Sequence, residues 1–172
     1  MFETILVATD GSDHAQKAVQ TAVDLASRYG SKLVVAHVLS EQSEVPDGLM
    51  RMAEVEHLVE SLPDTRGRTP NAMAPMVRIT DSESRVRKVL EAVGERLTSE
   101  ARNTAKAAGV RDIQSVVDEG DPPTQILKRA NAVDADLIVI GSRGLGTLTS
   151  LLMGSVSSKV CHLAHCPVLT VK

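Results

Sequence analysis

Ala135-Asp136-Leu137-Ile138-Val139-Ile140 runs straight into Gly141-Ser142-Arg143-Gly144, and after nine further residues the chain continues with Gly154-Ser155-Val156-Ser157. The short apolar run reads as a strand buried on both faces of a parallel sheet. Glycines at the carboxyl end of such a strand let backbone N–H groups approach a ligand closely, because no Cβ intrudes and positive φ carries no penalty. Gly141 and Gly144 therefore read as the first lip of a cradle. Gly154-Ser155 falls where the next helix is due to begin, and the free N–H groups and positive dipole end of a helix start form an anion site. Ser155 and Ser157 add hydroxyl donors. The whole stretch predicts a strand, a phosphate cradle and a helix in that order.

The rest of the chain repeats the strand-then-helix order. A first strand is expected over about Thr4 to Thr9, followed by Ser12 as N-cap of a helix whose Ala15, Ala18, Ala22, Leu25 and Ala26 share a face and which Gly30 ends. Lys32 to Val38 reads as the second strand. Val86, Leu90, Val93, Leu97, Ala101, Thr104 and Ala108 recur at helical steps up to Gly109, predicting a long amphipathic helix. A third strand over Ile113 to Val117 precedes Asp121-Pro122, an N-cap with proline at the first helical position, and a short helix through Ile126, Leu127 and Ala130. After the cradle come a helix from about Ser155 to Leu163 and a last strand, Val168 to Val171. Alternating strands and helices predict an α/β fold, an open doubly wound parallel sheet with right-handed crossovers and helices on both faces. Ligands of such sheets bind at the carboxyl ends of strands, where the strand order reverses.

Composition narrows the function. A chain of 172 residues fits one domain with a substantial core, and a net charge of -3 gives no electrostatic case for nucleic-acid binding. With no Trp, one Tyr and one Phe it also lacks platforms for stacking bases, so a planar ligand ring would lie between aliphatic side chains. No basic leader with a following apolar run and no stretch of about eighteen apolar residues is present, which points to a cytoplasmic protein without a membrane partner. Two cysteines do not make a disulfide framework.

The spacing Gly-x2-Gly-x9-Gly-Ser resembles the ATP-binding signature of the universal stress protein family. It is neither a Walker A loop nor a dinucleotide fingerprint after the first strand. Ile5-Leu6-Val7-Ala8-Thr9-Asp10-Gly11-Ser12 is similar to that family's first strand and turn, and His165-Cys166-Pro167-Val168-Leu169-Thr170-Val171 to its closing strand. The resemblance implies one domain over residues 1–172 with a five-stranded sheet of order 3-2-1-4-5, which sets Asp10 and Gly141 across one crevice. It also implies a set of nucleotide contacts: Ala8, Thr9 and Asp10, the backbone of Val38 against the adenine edge, and Gly141, Ser142, Arg143, Gly144, Gly154, Ser155, Val156 and Ser157 around phosphate and ribose. The implied ligand is ATP, with AMP or a cyclic nucleotide as alternatives and Mg2+ carried through the phosphates. A homodimer through the C-terminal strand is implied as well, and an unprotected apolar edge strand points the same way.

Each assignment has a plainer counterpart. Asp10-Gly11 can be a simple Asx turn, Val38 a core valine, Arg143 a solvated loop arginine and Met153 a packing residue. His14 defaults to a surface histidine. Cys161-His162-Leu163-Ala164-His165-Cys166 invites a metal reading, but helical spacing puts Cys161 and His165 on one face with His162 elsewhere, and one short helix cannot wrap four ligands around zinc. Between about 40 and 81 the chain is longer than the simplest family members. Leu49, Met52, Ala53, Val55, Val59 and Leu62 suggest an amphipathic helix there, whereas Pro63 to Asp81, with three prolines, is expected to be a long loop, either a lid or disordered. Met50, Met52, Met73 and Met76 offer an adaptable surface for an unidentified protein partner. No nucleophile elbow, Walker lysine or water-orienting residue accompanies the cradle. The sequence therefore reads as an ATP-binding stress protein, a nucleotide-dependent switch or scaffold with hydrolysis slow or absent; a slow ATPase and a dimeric interaction module without nucleotide are the rival readings.

Overall fold

Short runs of Val, Ile, Leu and Ala, buried on both faces, make the centre of the sheet: Ile5–Ala8, Leu33–Ala36 and Leu137–Ile140 are all below a tenth exposed. The structure is a computed structural model that describes residues 2–40, 77–145 and 153–172. Its elements in order are β1 (Thr4–Ala8), α1 (Asp13–Tyr29), β2 (Lys32–Leu39), α2 (Val77–Ala107), β3 (Ile113–Glu119), α3 (Pro122–Ala132), β4 (Leu137–Gly141), α4 (Ser155–Leu163) and β5 (Val168–Val171). The strands form one five-stranded sheet in the order β3-β2-β1-β4-β5, and every pairing is parallel. The chain order reverses between β1 and β4, where Ala8 stands beside both Ala36 and Ile140.

Period-two alternation splits the core into two layers. Ile5, Val7, Leu33, Val35, Leu137 and Val139 face α1 and the Ala101–Ala105 stretch of α2. Leu6, Ala8, Val34, Ala36, Ile138 and Ile140 face α3 and α4 through Ile126, Ala130 and Val160. Small residues on α1, Ala15, Ala18, Ala22 and Ala26, let that helix lie close on the sheet. Its ends follow the sequence signals: the Ser12 side chain accepts from Ala15 N, and Gly30 closes the helix in the left-handed region at φ 69°. On the other face the Arg129 guanidinium of α3 forks onto the Asp118 carboxylate of β3.

By contact the chain divides into two compact units, one of Met1–Ser43 with Gly94–Lys172 and one of Glu44–Val93. The first holds the whole sheet. The described part of the second is the leading portion of α2, whose surface carries an Arg87–Glu91 ion pair one turn apart. Helix α2 starts at Val77, so the expected loop does not run on to Asp81; Pro75 is the last proline before the helix, and nothing between 77 and 107 interrupts its hydrogen bonds. The amphipathic helix expected around 49–62, the loop from Pro63 to residue 76 and the methionine surface lie outside the described residues. Strands β2 and β3 run one and two residues further than their apolar patterns, because Leu39 still pairs with Glu119. Strand β1 stops at Ala8, one residue short of the expected Thr9.

Candidate functional site

A cleft of about 690 Å³ opens at the carboxyl ends of β1, β2 and β4, at the switch point. The alternation that buries Ala36 brings Val38 to the same side, and Pro122 and Ile126, one turn apart at the start of α3, complete an apolar wall with Ile140 and Val156. The glycines, Asp10 and the start of α4 line the same cleft. Ala8, Thr9, Asp10, Val38, Gly141, Arg143, Gly144, Gly154, Ser155, Val156 and Ser157 all line the cleft. Met153 lines it too, as do Pro122 and Ile126, whose only sequence signal is their place just past the end of β3.

Asp10 is held firmly. One carboxylate oxygen accepts from Ser12 N at 3.0 Å and Ser12 Oγ at 2.7 Å, which is the Asx turn. The other accepts from Leu145 N at 3.1 Å, so the side chain also ties the end of β1 to the cradle loop. A carboxylate offers about four acceptor sites, and three are taken; the remaining one is open to a hydroxyl donor in the cleft.

The three glycines serve different purposes, and none has positive φ. Of the two properties glycine offers at a strand end, freedom at positive φ and the lack of a Cβ, these three use the second. A Cβ on Gly141 would meet Ala15 N and His14 C at 2.9 Å, both backbone atoms of α1. A Cβ on Gly144 would strike the Asp10 carboxylate. Around Gly154 the nearest atom of the described residues would be 3.6 Å away, an ordinary contact, so those residues would accept a Cβ there. Gly154 is the N-cap of α4, extended at φ -75° and ψ 164°, and among the described residues no side chain caps the helix. The first turn of α4 lines the cleft with no side-chain acceptor from the described residues on its N–H groups, an arrangement suited to an anion.

Ser142 is the exception among the expected contacts. It is 1% exposed and not part of the cleft lining; its hydroxyl lies 2.9 Å from His14 Nδ1, and its carbonyl accepts from Gly154 N and from Ser157 Oγ, each at 2.8 Å. Ser142 N donates to Val171 O at 2.7 Å. The residue joins α1, α4 and β5 behind the cleft lining. Ser142 is thus placed behind the lining, not in it, and His14 is its half-buried partner rather than a surface side chain. Ser157, with its O–H directed to backbone carbonyls, keeps only acceptor capacity toward the cleft.

Among the described residues no group of three His, Cys, Asp or Glu side chains gathers as a metal would require. Desolvation pushes both the Cys161 and Cys166 thiols up, the Asp136 carboxylate adding to the effect at Cys166. No described helix is long and apolar enough to cross a membrane.

The family model described as "Universal stress protein family" matches residues 1–172. The chain is 35% identical to the stress response protein NhaX of Bacillus subtilis, over 99% of this chain and 98% of that one. It is also 35% identical to a universal stress protein of Thermus aquaticus, with both chains fully covered. Among solved structures, a universal stress protein in complex with cAMP superposes with a TM-score of 0.61 at 26% identity, covering 99% of this chain and 96% of the other. Matched along its whole length and built on the same five-stranded parallel sheet, the chain belongs to the universal stress protein family.

Proposed function

We propose that the cleft binds an adenine nucleotide, ATP or alternatively AMP or a cyclic nucleotide, and that the protein works as a nucleotide-dependent switch or scaffold. The observation that carries this is the convergence of an apolar slot, the start of α4 and the Asp10 carboxylate in one cleft of about 690 Å³, a size suited to a nucleotide. The flat base fits between Val38, Pro122, Ile126 and Val156; the ribose lies near the open acceptor of Asp10; the phosphates reach Gly144, Gly154, Ser155 and Arg143. A relative at 26% identity that holds cAMP supports the ligand class.

Hydrolysis is slow or absent in this reading. The described residues lining the cleft include no lysine, and Asp10 turns three of its acceptor sites to Ser12 N, Ser12 Oγ and Leu145 N. Mg2+ enters this reading through the phosphates; among the described residues no group of three His, Cys, Asp or Glu side chains gathers. The chain acts as one domain with an extended insertion at about 40–81, and as a homodimer through β5.

Ligand linkage tests the reading. A ligand that binds only the folded state at a hundred times its Kd stabilises it by about 2.7 kcal/mol, which for a domain of this size raises Tm by roughly 5–10 °C. Mg-ATP, AMP and cAMP are titrated by calorimetry and melting, with GTP as the control. Binding of at least one adenine nucleotide, tighter than GTP, is the expected result; no binding of any of them, in protein that carries none from purification, overturns the assignment.

A further inference from the structure

His37 lies on β2 between two cleft residues, Ala36 and Val38, and by alternation its side chain leaves from the opposite face of the sheet. It is buried, 9% exposed, and its Nδ1 is 2.8 Å from the carbonyl oxygen of Thr9. A carbonyl only accepts, so Nδ1 carries the proton and donates. The position of this bond matters because of what it replaces. The β1–β2 ladder runs up to Thr9 N donating to Ala36 O at 2.9 Å. In a parallel ladder the following rung would be Val38 N–H to Thr9 O. The imidazole occupies that carbonyl instead, and β1 ends at Ala8. Val38 N–H and C=O both point toward the β1 side, as the bonds of Lys32 and Ala36 on the same strand show, and they come to the rim of the cleft with no β1 residue in register beyond Ala8.

A second, independent contact holds the ring. Helix α2 crosses it at Gly94, where an added Cβ would stand 2.7 Å from His37 Cδ2 and 3.2 Å from Val117 Cγ1. The helix has a glycine where the imidazole needs room.

We propose that His37 is a positioning residue for the cleft: by taking the Thr9 carbonyl from the far face of the sheet it stops the β1–β2 ladder one rung early and keeps the Val38 backbone available to the edge of a planar heterocycle that carries a donor and an acceptor side by side, as a purine does. The inference rests on the nucleotide reading for its ligand, but its backbone consequence exists without any ligand. Gly94 completes the device, since a Cβ there would stand 2.7 Å from the ring in the position that reaches Thr9.

Three variants test it. Asn places an N–H where His has Nδ1, whereas Phe keeps the ring volume and has no donor. His37→Asn is expected to bind AMP within about threefold of wild type, and His37→Phe to lose about tenfold, the effect of one net hydrogen bond. A residue that only fills space predicts the reverse order. Gly94→Ala, which displaces the ring and leaves His37 in place, is expected to match His37→Phe. Amide exchange of Val38 in the free protein is the second readout: it should slow by about tenfold in His37→Phe, as the missing rung forms, and stay unchanged in His37→Asn. Equal AMP affinity for wild type and His37→Phe, or a Val38 amide already protected in wild type, overturns the proposal. If wild type binds no nucleotide, the nucleotide reading fails on its own, and Val38 exchange still decides the role of His37.

Discussion

At Gly141 and Gly154 one residue type answers two demands, and the difference is measurable. Gly141→Ala forces a methyl group against backbone atoms of α1 that cannot rotate away, so overpacking should cost about 1–3 kcal/mol whether or not a ligand is present. Each kcal/mol lowers Tm by roughly 2–4 °C in a domain of this size. Gly154→Asp is predicted to do the opposite in the free protein. The position is extended and, among the described residues, has room for a side chain and is an N-cap with no capping group. A carboxylate there satisfies first-turn N–H groups and meets the helix dipole, a gain of about 0.5–1 kcal/mol. It also occupies the donors offered to phosphate. Differential scanning with and without AMP should therefore show a higher starting Tm and a reduced nucleotide shift. A shift of full wild-type size would place the phosphate elsewhere than at α4.

At the scale of elements, capping gives α3 a pH signature. The Asp121 carboxylate accepts from the Thr124 hydroxyl and from Thr124 N, and these bonds, the hydroxyl first, hold its pKa below the ordinary 3.8. A carboxyl whose folded value is depressed adds stability that is fully present above its unfolded value and is lost as pH falls through the folded one. Asp121→Ala should thus lower Tm at neutral pH, and the gap to wild type should close below about pH 3.8. A gap that stays constant down to pH 2.5 would mean that the carboxylate charge contributes nothing to the cap. The cap itself was legible, because Asp-Pro before an apolar turn is a local signal, and so were the strands and the start of α4. The length of α2 was not: a pattern of apolar steps shows where a helix packs, and α2 continues to Val77, beyond the stretch whose pattern predicted it. Nor could the sequence show that Ser142 turns from the cleft to His14, since that contact joins residues 128 positions apart and depends on how closely α1 approaches β4. The His37–Thr9 bond was hidden for the same reason, because β2 reads as a plain buried strand with one histidine in it.

For the whole molecule, the open question is what meets the free edge of the sheet. Strand β5 lies last in the order, bonded to β4 on one side only, and Leu169 on it is 38% exposed. Unpaired edge groups with an apolar side chain beside them favour pairing with a second copy, the association proposed above. The ladder shows how to test this without damaging the fold. Ile138 N donates to Pro167 O, and Ser142 N to Val171 O. Residues of that parity therefore face β4, Leu169 among them, and by alternation Val168 and Thr170 turn their N–H and C=O groups outward. Proline is tolerated on an edge strand where its missing N–H would have faced outward. Thr170→Pro should therefore preserve the β4–β5 bonds and the circular dichroism of the fold while removing a donor from the outer edge and hindering strand addition. Leu169→Pro, which breaks the internal ladder, should destabilise the monomer and serves as the contrast. Light scattering coupled to size exclusion is expected to show wild type as dimer and Thr170→Pro shifted to monomer at micromolar concentration. A Thr170→Pro protein that remains dimeric would remove β5 as the contact, and a wild type that is monomeric would remove the homodimer.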